Sequence, residues 1–111
     1  MALYMLMGKY SPDAMKAILE GGSDREAVAR NLLEAAGGKL HGFYGMYGQE
    51  YNVAIIAELA GNAEYIGAIA PVIMSGTFSS FKTIPLYTAG DVQKASKIAK
   101  KIKASYKPPK G

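Results

Sequence analysis

The sequence predicts one α+β domain with elements in the order β-α-β-β-α-β-α, on three observations. First, Tyr51–Leu59 (YNVAIIAEL) is apolar at Tyr51, Val53, Ile55, Ala57 and Leu59 on one parity and at Ala54 and Ile56 on the other. A strand wet on one side alternates apolar with polar residues throughout. This one does so only at its ends, so it reads as a central strand covered on both faces. Second, Gly48-Gln49-Glu50 turns the preceding apolar run directly into it, which makes a hairpin. Third, the stretches between the other strands carry helix caps and apolar residues at helical spacing.

Composition sets the bounds. The chain has 111 residues, half of them apolar, which is one domain; that size buries roughly two thirds of the unfolded surface, enough for one core. Cysteine is absent. Disulfides, thiolate metal sites and cysteine nucleophiles are thereby excluded, and a reducing cytoplasm is the expected setting. No apolar run approaches the roughly 18 residues of a membrane span. The N-terminal MALYMLMGKY lacks a basic region and a cleavage site, and reads as a first strand rather than a signal. The net charge of +4 is unevenly spread. From Asp91 onward, seven lysines against one acid give +6; residues 1–90, with six basic and eight acidic groups, carry −2.

The elements follow in order. Ala2–Tyr10 is the first strand. Ser11 offers an N-cap oxygen, Pro12 suits the first helical position and Asp13 complements the positive helix end. Gly21-Gly22 interrupts this helix after Met15, Ile18 and Leu19. Ser23 and Glu26 have capping-box spacing and restart it. Ala27, Val28, Leu32, Leu33 and Ala36 then form its buried stripe, with Arg25, Arg30 and Glu34 facing outward. Gly37-Gly38 ends it. Lys39–Tyr47 is the second strand; glycines 42 and 45 within it mark a bulge or a close approach. After the central strand, Asn62 caps a helix over about Ala63–Met74, where Pro71 predicts a kink or early stop. Phe78–Tyr87 is the last strand, and Pro85 places it at an edge or bulge. Asp91–Tyr106 is an amphipathic helix with Val92, Ala95, Ile98, Ala99 and Ile102 opposite its lysines. Lys107–Gly111 reads as a disordered tail.

This order is the split βαβ of a ferredoxin-like domain over residues 1–90, with a four-stranded antiparallel sheet and an added C-terminal helix. Two helices cover one sheet face. The other stays largely apolar, an aggregation hazard that a symmetric dimer would remove.

Several segments resemble the GYD domain family: Gly8-Lys9-Tyr10-Ser11-Pro12-Asp13, Gly37-Gly38-Lys39-Leu40 with Gly42-Phe43-Tyr44, Gly48 with Tyr51-Asn52, the run Asn52–Glu58, and Thr83-Ile84-Pro85. The likeness spans about residues 3–90 and implies a ferredoxin-like fold of the dimeric α+β barrel group, with no agreed activity. The family's namesake run is glycine-x-tyrosine-aspartate at the start of the third strand. Here Gln49-Glu50 lengthens the turn by one residue, and Asn52 stands where aspartate is usual. An amide does not titrate, so Asn52 cannot act as acid or base; if the aspartate only bonds backbone, asparagine serves as well.

Six residues are candidates for lining a ligand site: His41, Tyr44, Tyr47, Tyr51, Asn52 and Glu58. His41, the only histidine, shares a strand parity with Phe43 and Tyr47. It is either a proton shuttle in an aromatic-lined cavity or an ordinary strand histidine, and the lack of a second histidine or cysteine favours the ordinary reading. Glu58 buried on a largely apolar strand would have its pKa raised, but the favoured reading is that it lies near enough to the strand end to reach solvent or pair with a lysine. Tyr4, Tyr10, Tyr44, Tyr47, Tyr51 and Tyr87 all fall in predicted strands, as dimer core or cavity lining rather than a base-stacking platform. The lysine helix is read as a solvated face, so nucleic acid is not an expected partner and neither is a membrane.

The leading expectation is a cytoplasmic homodimer that binds a small apolar or aromatic ligand between facing sheets, or acts as an accessory protein. The alternative is a cofactor-independent dimeric-barrel monooxygenase or isomerase acting on a phenolic or quinone-like compound. A third reading, nucleic-acid association, rests on the lysine helix alone. No cofactor and no metal site is expected.

Overall fold

A computed structural model describes residues 1–110. Nine residues, Ala2–Tyr10, form β1, and the chain continues through α1 (Pro12–Gly21), α2 (Arg25–Ala35), β2 (Lys39–Gly45), β3 (Val53–Leu59), α3 (Asn62–Met74), β4 (Phe78–Leu86) and α4 (Ala89–Ile102). The strands form one antiparallel sheet in the order β2-β3-β1-β4. The fold is thus α+β and ferredoxin-like, with β1 and β3 central, as the two-faced apolar pattern of β3 requires. Pro85 lies on β4, an edge strand, where its missing N–H costs no ladder bond.

Tyr4, Leu6, Val53, Ala57 and Leu59 are buried on the face that α1–α3 cover, and Leu33, Tyr65 and Ala68 meet them from the helices. Tyr4 and Tyr65 stack with ring centroids 4.3 Å apart. Gly38 permits the return from α2 to the sheet, since a Cβ there would clash with the Glu58 carbonyl oxygen. The opposite face carries Leu3, Met5, Met7, Ala54, Ile56, Ile84 and Leu86, all only half-buried.

Several boundaries differ from expectation. The cap of α2 is Asp24, which accepts from the Ala27 N–H at 3.1 Å, so the helix restarts one residue after Ser23 and its predicted box does not form. Gly61 takes the N-cap position of α3 without a side-chain bond, because the Asn62 amide oxygen instead accepts from the Tyr4 hydroxyl at 2.7 Å. Pro71 does not stop α3, which continues to Met74; its missing N–H leaves the Gly67 carbonyl without an intrahelical donor, on an exposed stretch of the helix. Neither Tyr47, Tyr51 nor Tyr87 lies in a strand, since β2, β3 and β4 are shorter than their apolar runs.

The last helix starts at Ala89, ahead of the expected Asp91. Thr88 and Asp91 form a reciprocal capping box, Asp91 being the third helical residue. Every residue of α4 is exposed, including Val92, Ile98 and Ile102. It ends at Ile102, and a short 3₁₀ turn, Lys103–Ser105, follows. Residues 107–110 have no regular structure, and Gly111, the end of the expected tail, lies outside the described residues.

Candidate functional site

A narrow apolar cleft lies between α2, α3 and the sheet. Val28, Ala29, Leu32 and Leu33 of α2 face Tyr65, Ala68, Ile69 and Val72 of α3 across it. These spacings are one stripe on each helix, so the sequence pattern that buries the helices also builds the walls. Leu6, Phe43, Ile55 and Ala57 form the floor, and Tyr10 and Phe78 close one end with ring centroids 5.4 Å apart. The cavity itself is narrow, about 50 Å³. Arg25 is the one charged side chain in the lining.

Polar groups at this pocket are held by named partners. The hydroxyls of Tyr65 and Thr83 share a hydrogen bond of 2.7 Å. Burial raises the Tyr65 pKa and outweighs that bond, so the phenol stays protonated at neutral pH. Burial likewise raises the Tyr10 pKa, and the Arg25 guanidinium beside it only partly opposes this. Tyr10, Arg25 and Phe43 also border an outer groove between α1 and the β2–β3 hairpin, walled by Met15, Ile18, Met46 and Asn52.

The sequence-predicted candidates divide among three places. Asn52 works on backbone: its Oδ1 accepts from the Tyr10 N–H at 2.8 Å, and its own N–H donates to the Gly8 carbonyl. Tyr47 is fully exposed at the hairpin tip and Tyr51 is half-buried before β3. Tyr44 and Glu58 have the parity of the open sheet face, and His41, which bonds Glu58, borders with Tyr44 an edge cleft beside Glu26 and Arg30 of α2. A bulge between Leu40 and Gly42 explains this, because it shifts the parity of β2. Phe43 therefore lines the helix-side pocket while His41 bonds Glu58, and the expected grouping of His41 with Phe43 and Tyr47 does not occur.

His41 Nε2 and Glu58 Oε1 are 2.7 Å apart. The Glu58 carboxyl is held below its ordinary pKa, first by the hydrogen bond from His41, with smaller help from the charges of His41, Lys39 and the N-terminus. The favoured reading, that Glu58 reaches solvent at the strand end and gains from a lysine, holds, and the alternative of a rise through burial does not. Arg25 is a second correction: it is half-buried and lines the pocket rather than facing outward. The pocket residues that sequence reading missed as a group are Tyr10, Arg25, Phe43, Tyr65 and Phe78. The spacing of α2 and α3 identified their neighbours as core, but nothing in it separates a packed seam from an open one.

Among the described residues no three of His, Asp and Glu converge as metal ligands, and no helix is long and apolar enough to cross a membrane. No curated protein matches the chain. The GYD domain family model matches residues 4–96 of the 111, and the chain belongs to the GYD domain family.

Proposed function

We propose that this chain is a cytoplasmic homodimeric binding protein for a small apolar or aromatic molecule. The observation that carries the binding role is the aromatic-walled cleft between α2, α3 and the sheet, which is narrow at about 50 Å³ but shares Tyr10, Arg25 and Phe43 with the outer groove, whose volume of about 660 Å³ is within the range of small-molecule sites. Self-association draws its support from two surfaces that lack a partner. The half-exposed apolar row of the open sheet face and the exposed apolar stripe of α4 both leave water in contact with side chains that burial would favour. An isolated helix of 14 residues is marginal in water, which makes α4 dependent on such a contact. In this arrangement the sheet seam is the interface and the ligand lies on the helix side. The absence of cysteine suits a reducing compartment.

A nuclear magnetic resonance titration of the full chain with indole, an uncharged bicyclic probe, tests the binding role. The expected result is saturable shifts of the Leu33, Ile55, Ile69 and Val72 methyls. Shifts confined to α4, or none at millimolar indole, would overturn it.

The second reading is a cofactor-independent monooxygenase or isomerase of phenolic or quinone-like compounds, favoured by the His41–Glu58 pair. A carboxylate that orients an imidazole is how a general base is commonly positioned. Its check is turnover of a hydroquinone under air: activity abolished by His41→Ala supports it, and no turnover by the parent protein sets it aside.

A further inference from the structure

We propose that α4 is an exchanged arm, whose apolar stripe seats in the groove between α3 and β4 of a second copy of this chain. The inference rests on the homodimer proposed above and adds a second contact to it.

The groove runs along the sheet edge, since nothing in the chain lies beyond β4. Phe81, Thr83 and Pro85 stand opposite Gly8, Leu6 and Tyr4 in the ladder, which turns them to the helix side. Ile66, Ile73 and Met74 of α3 form the facing wall. Of these, Ile66, Met74, Phe81 and Pro85 are exposed. The hydroxyls of the groove are already paired, Tyr4 with Asn62 and Tyr65 with Thr83, and no charged side chain lines it. Such a surface suits an apolar ridge rather than a polar ligand.

The same chain carries that ridge. Val92, Ala95, Ile98, Ala99 and Ile102 recur at helical spacing along α4, and none is buried. The 14 residues of α4 span about 21 Å and the 13 of α3 about 20 Å, so arm and groove wall match in length. Charge agrees as well. The segment from Asp91 onward carries +6 and the body −2. Glu64 stands in the first turn of α3, and no basic residue offsets the negative pole of its last turn. Both ends of the groove therefore favour the lysines that flank the stripe.

The seat is on a second copy because α4 projects from its own body, with which it makes no extensive contact. The radius of gyration is 18.1 Å, against about 13 Å for a compact chain near this length. Only Tyr87 and Thr88 join β4 to α4, and the capping box holds Thr88 extended at φ −98° and ψ 167°. A twofold pair seats both arms at once, which removes two stripes and two grooves from water together.

The absence of cysteine makes oxidative cross-linking of introduced thiols a clean test. Ile66→Cys on the groove wall and Ala95→Cys at the middle of the arm are combined in the full chain. The expected product of oxidation is a covalent dimer that neither single variant forms. Ile98→Asp should raise the dimer dissociation constant about tenfold or more, because it places a charge in an apolar seat. A cross-link within one chain would overturn the exchange and put α4 in its own groove. No cross-link, or an equal yield from either single variant, would overturn the seat and leave the homodimer standing where sedimentation still finds twice the chain mass. A parent protein that sediments as a monomer would remove the homodimer and the arm together.

Discussion

The Asn52 side chain fastens the end of β1 to the start of β3: its Oδ1 accepts the Tyr10 N–H at 2.8 Å, while its backbone N–H reaches the Gly8 carbonyl. Just past Gly8, the β1–β4 register shifts between Lys9 and Tyr10. A side-chain acceptor there replaces a ladder bond that β3 no longer supplies.

That role needs an oxygen and not a charge. Asn52→Asp should therefore match the parent in urea unfolding to within about 1 kcal/mol, whereas Asn52→Ala leaves a part-buried N–H unpaired and should cost about 1–3 kcal/mol. The departure from the aspartate usual in this family is conservative for the fold on this account. Equal loss in both variants would show that the charge state matters.

Tyr65 joins the core to the β4 edge through its stack on Tyr4 and its bond to Thr83. Tyr65→Phe should cost about 0.5–1.5 kcal/mol and Tyr65→Ala about 3–5 kcal/mol, the difference being cavity and lost burial. The raised pKa of Tyr65 has a pH consequence. A phenol whose folded pKa exceeds its unfolded value contributes stability that is complete below the unfolded pKa, about 10, and is lost as pH rises through the folded one. Tyr10 acts in the same direction. Unfolding free energy should fall above that pH, less steeply in Tyr65→Phe. Denaturant midpoints across an alkaline series check it.

Much of this fold was legible because its signals are periodic and local. The two-faced pattern of β3 located the sheet centre, Ser11-Pro12-Asp13 located α1, and Pro85 marked an edge or a bulge, of which the edge is the one found. The candidate site was less legible. A single bulge near Gly42 moved His41 and Phe43 to opposite faces, and strict alternation cannot register an inserted residue. Glycine at position 42 warned of a bulge without giving its direction. Asn62 looked like a cap and serves Tyr4 instead, a choice that only the packed partner 58 residues away decides. Arg25 falls outside the apolar stripe of α2 and so reads as outward-facing; the cleft it borders is a tertiary fact.

Met5 sits between Ile56 and Ile84 on the open sheet face, paired with each across the two ladders. In the proposed homodimer this row is the centre of the seam. Met5→Asp would place a charge there without disturbing the helix-side core, since its side chain lies on the opposite parity from Tyr4 and Leu6. Sedimentation equilibrium should find the parent at twice the chain mass and the variant as a folded monomer. A parent protein that stays monomeric at micromolar concentration would end the dimer proposal. A dimeric Met5→Asp variant would move the interface to another surface, with Ile98→Asp and Ile102→Asp on α4 as the next substitutions to separate the two.

The His41–Glu58 pair makes a prediction at acid pH. Because the folded pKa of Glu58 is lowered, its contribution is present above the ordinary carboxyl value and is lost as pH falls through the folded one. Lys39 stands directly across the ladder from Glu58, so the carboxylate gains from a second cation as well. Solvent reaches both partners of the pair, so its stabilisation is that of a screened surface ion pair. Glu58→Gln should accordingly unfold at nearly the parent's urea midpoint at neutral pH and show a shallower decline between roughly pH 5 and 3. His41→Ala should reproduce that shallower slope, because the hydrogen bond from His41 is the largest cause of the Glu58 shift. If both variants decline in parallel with the parent, the pair is not linked to folding, and its 2.7 Å contact is available to serve a ligand instead.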